Sequence, residues 1–220
     1  MSLFITFEGT EGAGKSTQIA RLARRLEHLG HTALTLREPG GTAIGEEIRH
    51  TLQHSHSNHG MTAEAELLLL NASRAQLVRE VIRPALARGD IVLCDRFFDS
   101  TLAYQGYGRG LDLESVRRVI DFAVGPTRPD LTLFLHVPVA VSEARRQGRQ
   151  QGSEPARDRM EELDRAFFER VEEGFLAVAR AEPKRFRVLD ATLDVDAVEA
   201  LVWQAVEPFC GVSGPLQRPN

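Results

Sequence analysis

The chain has 220 residues, 42% of them apolar and 26% charged, which suits one soluble domain with a substantial core. Its 27 basic and 31 acidic residues leave a net charge of -4, which excludes a global positive field for nucleic acid or anionic membrane and makes any basic site local. No apolar run approaches the roughly 20 residues of a membrane span, the start lacks a secretion-signal pattern, and Cys94 and Cys210 form no zinc or redox motif; a cytoplasmic protein without a disulfide is expected.

Continuous apolar runs at 3–7, 33–36, 91–94, 131–137 and 186–189 read as strands buried on both faces, and the helical periodicity between them predicts an α/β protein with a parallel sheet. The first helix places Ile19, Leu22, Ala23, Leu26 and Leu29 on one face, with Gly30 as a left-handed cap. A helix over 44–52 and a histidine-rich loop follow; Thr62 caps a long helix over 63–86 that Pro84 kinks in its last turns and Gly89 closes. Further helices are predicted over 113–124, 139–147, 160–181 and 195–209. "QGRQQGSEPARDR" has no apolar face and reads as a mobile lid, about 148–160; residues 210–220 read as a flexible tail after a single domain spanning 1–209.

"FEGTEGAGKSTQ" directly follows the first strand and opens the first helix. Gly9, Gly14, Lys15 and Ser16 satisfy G-x-x-x-x-G-K-[ST], a turn whose bare backbone lets successive N–H groups converge on phosphate while the new helix adds its positive end. The loop, Gly9, Thr10, Glu11, Gly12, Ala13, Gly14, Lys15, Ser16 and Thr17, is expected to hold ATP, with Lys15 on the β and γ phosphates and the Ser16 hydroxyl on Mg²⁺. Lys15 and Lys184 are the only lysines, and Lys184 lies in "EPKRF", so the N-K-x-D motif of guanine-specific switches is missing.

The acceptor side must come from elsewhere. Asp95 ends a buried strand, where a carboxylate orients Mg²⁺ beside a P-loop, and Arg96 adjoins it. Arg74 shares a helix face with Leu67, Leu70 and Asn71, and "REPGGT", residues 37–42, turns sharply after the second strand, at the sheet end where ligands of open α/β folds sit.

"FEGTEGAGKST", "REPGGT", "ASRAQ", "DRFFDSTLAYQG", "RPDLTLFL", "DRME" and "VLDAT", in that order and covering most of the chain, resemble the bacterial thymidylate kinase family. The resemblance implies a five-stranded parallel sheet flanked by helices in a P-loop kinase fold, a homodimer, and the reaction of ATP with dTMP to give ADP and dTDP. It implies that Glu11 meets the deoxyribose 3′-hydroxyl, Arg37 and Arg96 the dTMP phosphate, Arg74 a thymine carbonyl and Thr101 the ring edge; Tyr104 crowds the 2′ position, and Gln105 lines the same pocket. With Glu11 and no arginine in the variable loop positions, the chain resembles the subtype whose catalytic arginine comes from the lid. Arg149 and Arg159 fit that role beside Lys15, Asp95 and Arg96, with Arg145 and Arg146 as substitutes for Arg149.

Two positions depart from the family pattern. Leu70 replaces the usual aromatic residue stacked on thymine, predicting weaker base binding or an aromatic ring supplied from elsewhere, and His136 replaces an aspartate, reading as a packed strand-end histidine. His50, His54, His56 and His59 match no zinc spacing. Another nucleoside monophosphate or deoxynucleoside kinase, and a P-loop ATPase without an acceptor site, stay open as alternatives.

Overall fold

A computed structural model describes residues 2–55, 58–150 and 164–210, with backbone alone at 59 and 146–150. Five strands, β1 Leu3–Glu8, β2 Ala33–Arg37, β3 Ile91–Asp95, β4 Leu131–His136 and β5 Phe186–Asp190, form one parallel sheet in the order β2-β3-β1-β4-β5. Four of the strands run one residue beyond the apolar stretch that announces them, taking in Glu8, Arg37, Asp95 and Asp190. Charge ends the hydrophobic signal while the backbone ladder continues, so ionisable side chains collect at the carboxyl edge where such sheets bind ligands.

The continuous apolar runs are explained by two cores. Leu3, Ile5 and Phe7 of β1 and Leu131, Leu133 and Leu135 of β4 pack with Ile19, Leu22 and Leu26 of α1 (Lys15–His28) and Val198, Val202 and Val206 of α9 (Val195–Cys210). The alternate residues Phe4, Val92, Cys94 and Phe134 face the other core, built with α3 (Ala63–Leu77), α6 (Leu113–Val124) and α8 (Arg165–Ala181). Alternation decides which core a strand residue joins; the central strands β1, β3 and β4 are buried on both faces as expected, whereas the edge strands β2 and β5 expose Thr35, Arg187 and Val188 because no neighbouring strand covers them.

Local signals set most helix ends. Gly30 is left-handed at φ 84°, and the His31 N–H donates to Leu26 O at 3.0 Å, closing α1. Leu29, placed on the buried face by periodicity, is 54% exposed because the helix is already unwinding there. Thr42, Thr62 and Asp112 accept N–H bonds from Gly45, Ala65 and Ser115 and start α2 (Ala43–Gln53), α3 and α6.

Elsewhere the structure differs from expectation. The irregularity ascribed to Pro84 is a π-helical stretch upstream of it, Val78–Ile82, after which α4 (Arg83–Arg88) carries Pro84 near its start, where a missing N–H costs little, and Gly89 caps it at φ 90°. Residues 98–108, not predicted as helix, form α5 (Phe98–Thr101) and a second π-helical stretch, Leu102–Gly108, packed on α8. A Cβ on Gly108 would meet Phe167 Cε2 at 2.6 Å, and one on Gly174 would meet Ala103 Cα at 3.0 Å. Lacking a Cβ, these two glycines permit close helix packing. α7 (Val139–Gln150) runs three residues past its predicted end and takes in the first three residues of the predicted lid, 148–150; the start of the 160–181 helix, the rest of the lid and most of the tail lie outside the described residues.

Candidate active site

The P-loop takes the predicted conformation. Gly9, Gly12 and Gly14 have φ of 144°, 81° and 90°, and a Cβ on Gly9 would strike Leu135 O at 2.7 Å, so the loop lies directly on the end of β4. Lys15, in the first turn of α1, is buried, and its Nζ donates to Gly9 O at 3.1 Å and Thr10 O at 3.2 Å, 4.0 Å from Asp95 Oδ1. Burial first and Arg96 second pull the ammonium down to about 8, against Asp95, Glu8 and Glu11.

The register Phe7↔Asp95 and Arg37↔Asp95 sets the ends of β1, β3 and β2 side by side. Ser16 Oγ donates to Asp95 Oδ2 at 3.2 Å, while the buried Asp95 Oδ1 has no hydrogen-bond partner. Two hard oxygen donors in contact, one with an unused atom, fit Mg²⁺. Among the described residues no group of three or more His, Cys, Asp or Glu forms a metal cluster; the His136 ring lies tilted at 48° to Phe134, centroids 5.5 Å apart, with Nε2 2.6 Å from Glu172 Oε1.

A cavity of about 420 Å³ joins this edge to the helices beyond it. It is lined by Glu11, Gly12, Gly14, Lys15, Ser16 and Thr17 on one side and by Arg37, Leu70, Arg74, Arg96, Thr101, Tyr104 and Gln105 on the other, with Asp95 between. Gly9, Thr10 and Ala13 shape the loop from behind and do not line it. Arg159 lies outside the described residues, as does the Arg149 side chain. Arg145 is committed to the back of the loop: its guanidinium donates to Gly12 O, Ala191 O and Thr192 O at 3.4, 2.9 and 3.4 Å.

Each acceptor-side cation is already engaged. Arg74 donates four hydrogen bonds, Nε to Glu38 Oε2, Nη1 to Asn71 Oδ1 and Thr101 Oγ1, and Nη2 to Phe97 O, and its Nη2 also lies 2.6 Å from Glu38 Oε2 in an ion pair. Burial raises the pKa of Glu38, with Arg74 opposing, and Glu38 Oε1 is left without a partner. Arg37 pairs with Glu46 Oε2 at 3.0 Å in a largely exposed contact. Arg96, at φ 69°, sits 5.1 Å over the Tyr104 ring; burial opposes its charge, but Tyr104, Asp95 and Glu8 outweigh it and raise its pKa.

Sequence reasoning missed several lining residues. Glu38 and Glu66 face the cavity as buried carboxylates, and Glu66 accepts from Gln105 at 2.7 Å and Arg109 at 2.9 Å. Phe97 and Phe168 add aromatic surface to the cavity that Leu70 also lines. Glu8, at the end of β1, is wholly buried; burial and then Asp99 push it up to about 8, against Ser100, Arg96 and the Phe97 N–H. The available signal was its place between an apolar strand and the P-loop.

A family model described as Thymidylate kinase matches residues 7–202. A protein named thymidylate kinase from Syntrophotalea carbinolica is 50% identical over 98% of this chain and 100% of its own length, and one from Deinococcus radiodurans is 50% identical over 93% and 96%. The crystal structure of thymidylate kinase from Ehrlichia chaffeensis superposes with a TM-score of 0.74 at 34% identity, covering 94% of this chain and 98% of that one. A P-loop with a magnesium-ready serine and aspartate, an arginine-lined second half of the same cavity, and likeness along almost the whole sequence converge: the chain belongs to the thymidylate kinase family.

Proposed function

We propose that the cavity passes the γ-phosphoryl group of ATP to the phosphate of dTMP, giving dTDP and ADP. One observation carries the reading: Lys15 and Ser16 of the phosphate loop share a single cavity with Arg96, Arg74 and Thr101. A nucleoside monophosphate, with a second pKa near ~6, is already a dianion at neutral pH and needs no general base. The obstacle is repulsion between two phosphates and charge on the transferring group, which Lys15, Arg37 and Arg96 offset. Mg²⁺, held by Ser16 and Asp95, would neutralise charge on the β and γ phosphate oxygens.

Glu11 faces the deoxyribose, and Tyr104, packed under Arg96, limits room at the 2′ position. Thr101 and Gln105 are pinned by Arg74 and Glu66, so the base meets a preset wall. A thymine carbonyl at Arg74 shares or displaces an acceptor already bound there. Phe97 and Phe168 supply the aromatic surface that Leu70 lacks. Arg149 and Arg159, from a lid at about 148–160 in a domain of residues 1–209, supply the lid-borne catalytic charge.

ADP release measured with dTMP, dUMP, dCMP, thymidine and no acceptor tests the reaction. Strong dependence on dTMP is expected, and ATP hydrolysis indifferent to it overturns the reading. Arg149→Ala and Arg159→Ala should lower kcat more than dTMP affinity.

The homodimer is part of the proposal. Ile44 of α2, Leu68 of α3 and Phe122 of α6 are 54%, 59% and 86% exposed, and α3 packs against both other helices. Phe122→Asp should shift the mass in solution from dimer to monomer. The free thiols Cys94 and Cys210 suit the reducing cytoplasm, and among the described residues no helix is long and apolar enough to cross a membrane.

A further inference from the structure

We infer that Glu8 is a positioning residue for the acceptor phosphate: from the strand that leads into the P-loop, its carboxyl caps α5 and fixes the Arg96 guanidinium at the cavity. The inference rests on the reading of Arg96 as a ligand of the dTMP phosphate.

α5 begins at a residue that cannot cap it. Phe97 stands at the N-cap position and has no side-chain oxygen, yet the helix still has N–H groups to satisfy in its first turn. Glu8 fills that place from β1. Its Oε1 accepts the Phe97 N–H at 2.8 Å and the Ser100 N–H at 3.3 Å, the latter being the third helical position, the usual target of a capping side chain. Its Oε2 shares a 2.5 Å hydrogen bond with the Ser100 hydroxyl, and Ser100 Oγ accepts Arg96 Nη1–H at 3.1 Å. One carboxyl thus reaches the guanidinium through a single serine.

Arg96 needs such support. It is the one non-glycine residue with positive φ among those described, a conformation disfavoured for any side chain with a Cβ. It is pinned on both sides: its own N–H donates to Phe7 O at 2.9 Å, and the next N–H, that of Phe97, is held by Glu8. Phe7 and Glu8 end the strand immediately before Gly9, so the donor loop and the acceptor arginine hang from adjacent residues of β1. Asp99 offers the contrast. That buried carboxylate is neutralised by Arg185, with two contacts of 2.8 Å, and ties α5 to β5. Among the described residues Glu8 forms no ion pair of its own and its oxygens bond the loop itself, which marks positioning as distinct from simple anchoring of the fold.

The test measures binding of dTMP alone and of Mg·ATP alone by calorimetry, with steady-state constants, for the full chain and for Glu8→Gln, Ser100→Ala and Arg96→Ala. Glu8→Gln should weaken dTMP about 10-fold while Mg·ATP binding changes less than about 2-fold; Ser100→Ala should weaken dTMP about 3-fold or more, and the double variant should be no worse than Glu8→Gln by itself. Equal loss of both ligands, or unchanged dTMP affinity in Glu8→Gln while Arg96→Ala weakens it, overturns the positioning role. Should Glu8→Gln fail to fold, Ser100→Ala decides alone, and unchanged dTMP affinity there overturns it. If Arg96→Ala itself leaves dTMP affinity intact, the phosphate assignment falls instead.

Discussion

Across the cavity, residues 9–17 present a contiguous loop whose working parts are main-chain N–H groups, one ammonium and one hydroxyl, whereas the facing wall assembles side chains from the end of β2, α3, the loop after β3 and α8. The loop depends on local glycine geometry and the start of one helix. The wall depends on buried charges that satisfy one another before any substrate arrives, as Arg74 does with Glu38 and Arg109 with Glu66. Damage to the first should therefore cost turnover with the fold intact, and damage to the second should cost the fold with turnover.

The sharpest way to break that contrast is a pair of substitutions. Lys15→Ala should lower dTDP formation by about 10²–10³-fold with little change in melting temperature. Glu38→Ala leaves Arg74 as an uncompensated buried charge and should destabilise by about 3–5 kcal/mol in denaturant unfolding. The exposed Arg37–Glu46 pair calibrates this effect: Arg37→Ala should change stability by less than about 1 kcal/mol while raising the dTMP KM. A severe loss of stability in Lys15→Ala, or none in Glu38→Ala, would dissolve the distinction.

Packing gives the next effect. Gly174→Ala puts a methyl 2.9 Å from the Tyr107 ring and 3.0 Å from Ala103 Cα, forcing α8 off the π-helical stretch. A loss of about 1–3 kcal/mol is expected, with dTMP affinity reduced more than ATP affinity because the acceptor wall moves.

A pH effect follows from Glu8. Its folded-state pKa of about 8 exceeds the ordinary 4.5, so between those values the native protein holds a proton that the unfolded chain has released. Its contribution is full below pH 4.5, declines through the window and is gone above about 8. Asp99, Arg96, Lys15 and Cys94 face the same carboxyl, so the readout is a difference: Glu8→Gln should flatten this descending slope relative to the unmodified chain. Parallel pH–stability curves would contradict the assignment. The smallest effect is expected from Leu70→Phe, which should lower the dTMP KM a few-fold, about 1 kcal/mol of ring contact; a raised KM would mean that Phe97 and Phe168 already fill that space.

The sequence by itself determined the sheet, the phosphate loop and most helix ends, because continuous apolar runs, glycines with positive φ and Thr or Asp caps act within a few residues. The resemblance carried by its motifs also put Asp95, Arg96, Arg74 and Thr101 at one site, and these residues line one cavity. Only the tertiary structure decided how that wall is wired. Residues 98–108 became helical because α8 packs on them, the hydrogen bonds of Arg74 reach partners 3 to 36 positions away, and Glu8 caps a helix that starts 90 residues later. Such pairings are set by the free energy of satisfying buried polar groups, and that term has no local signature until the strands have brought the partners together.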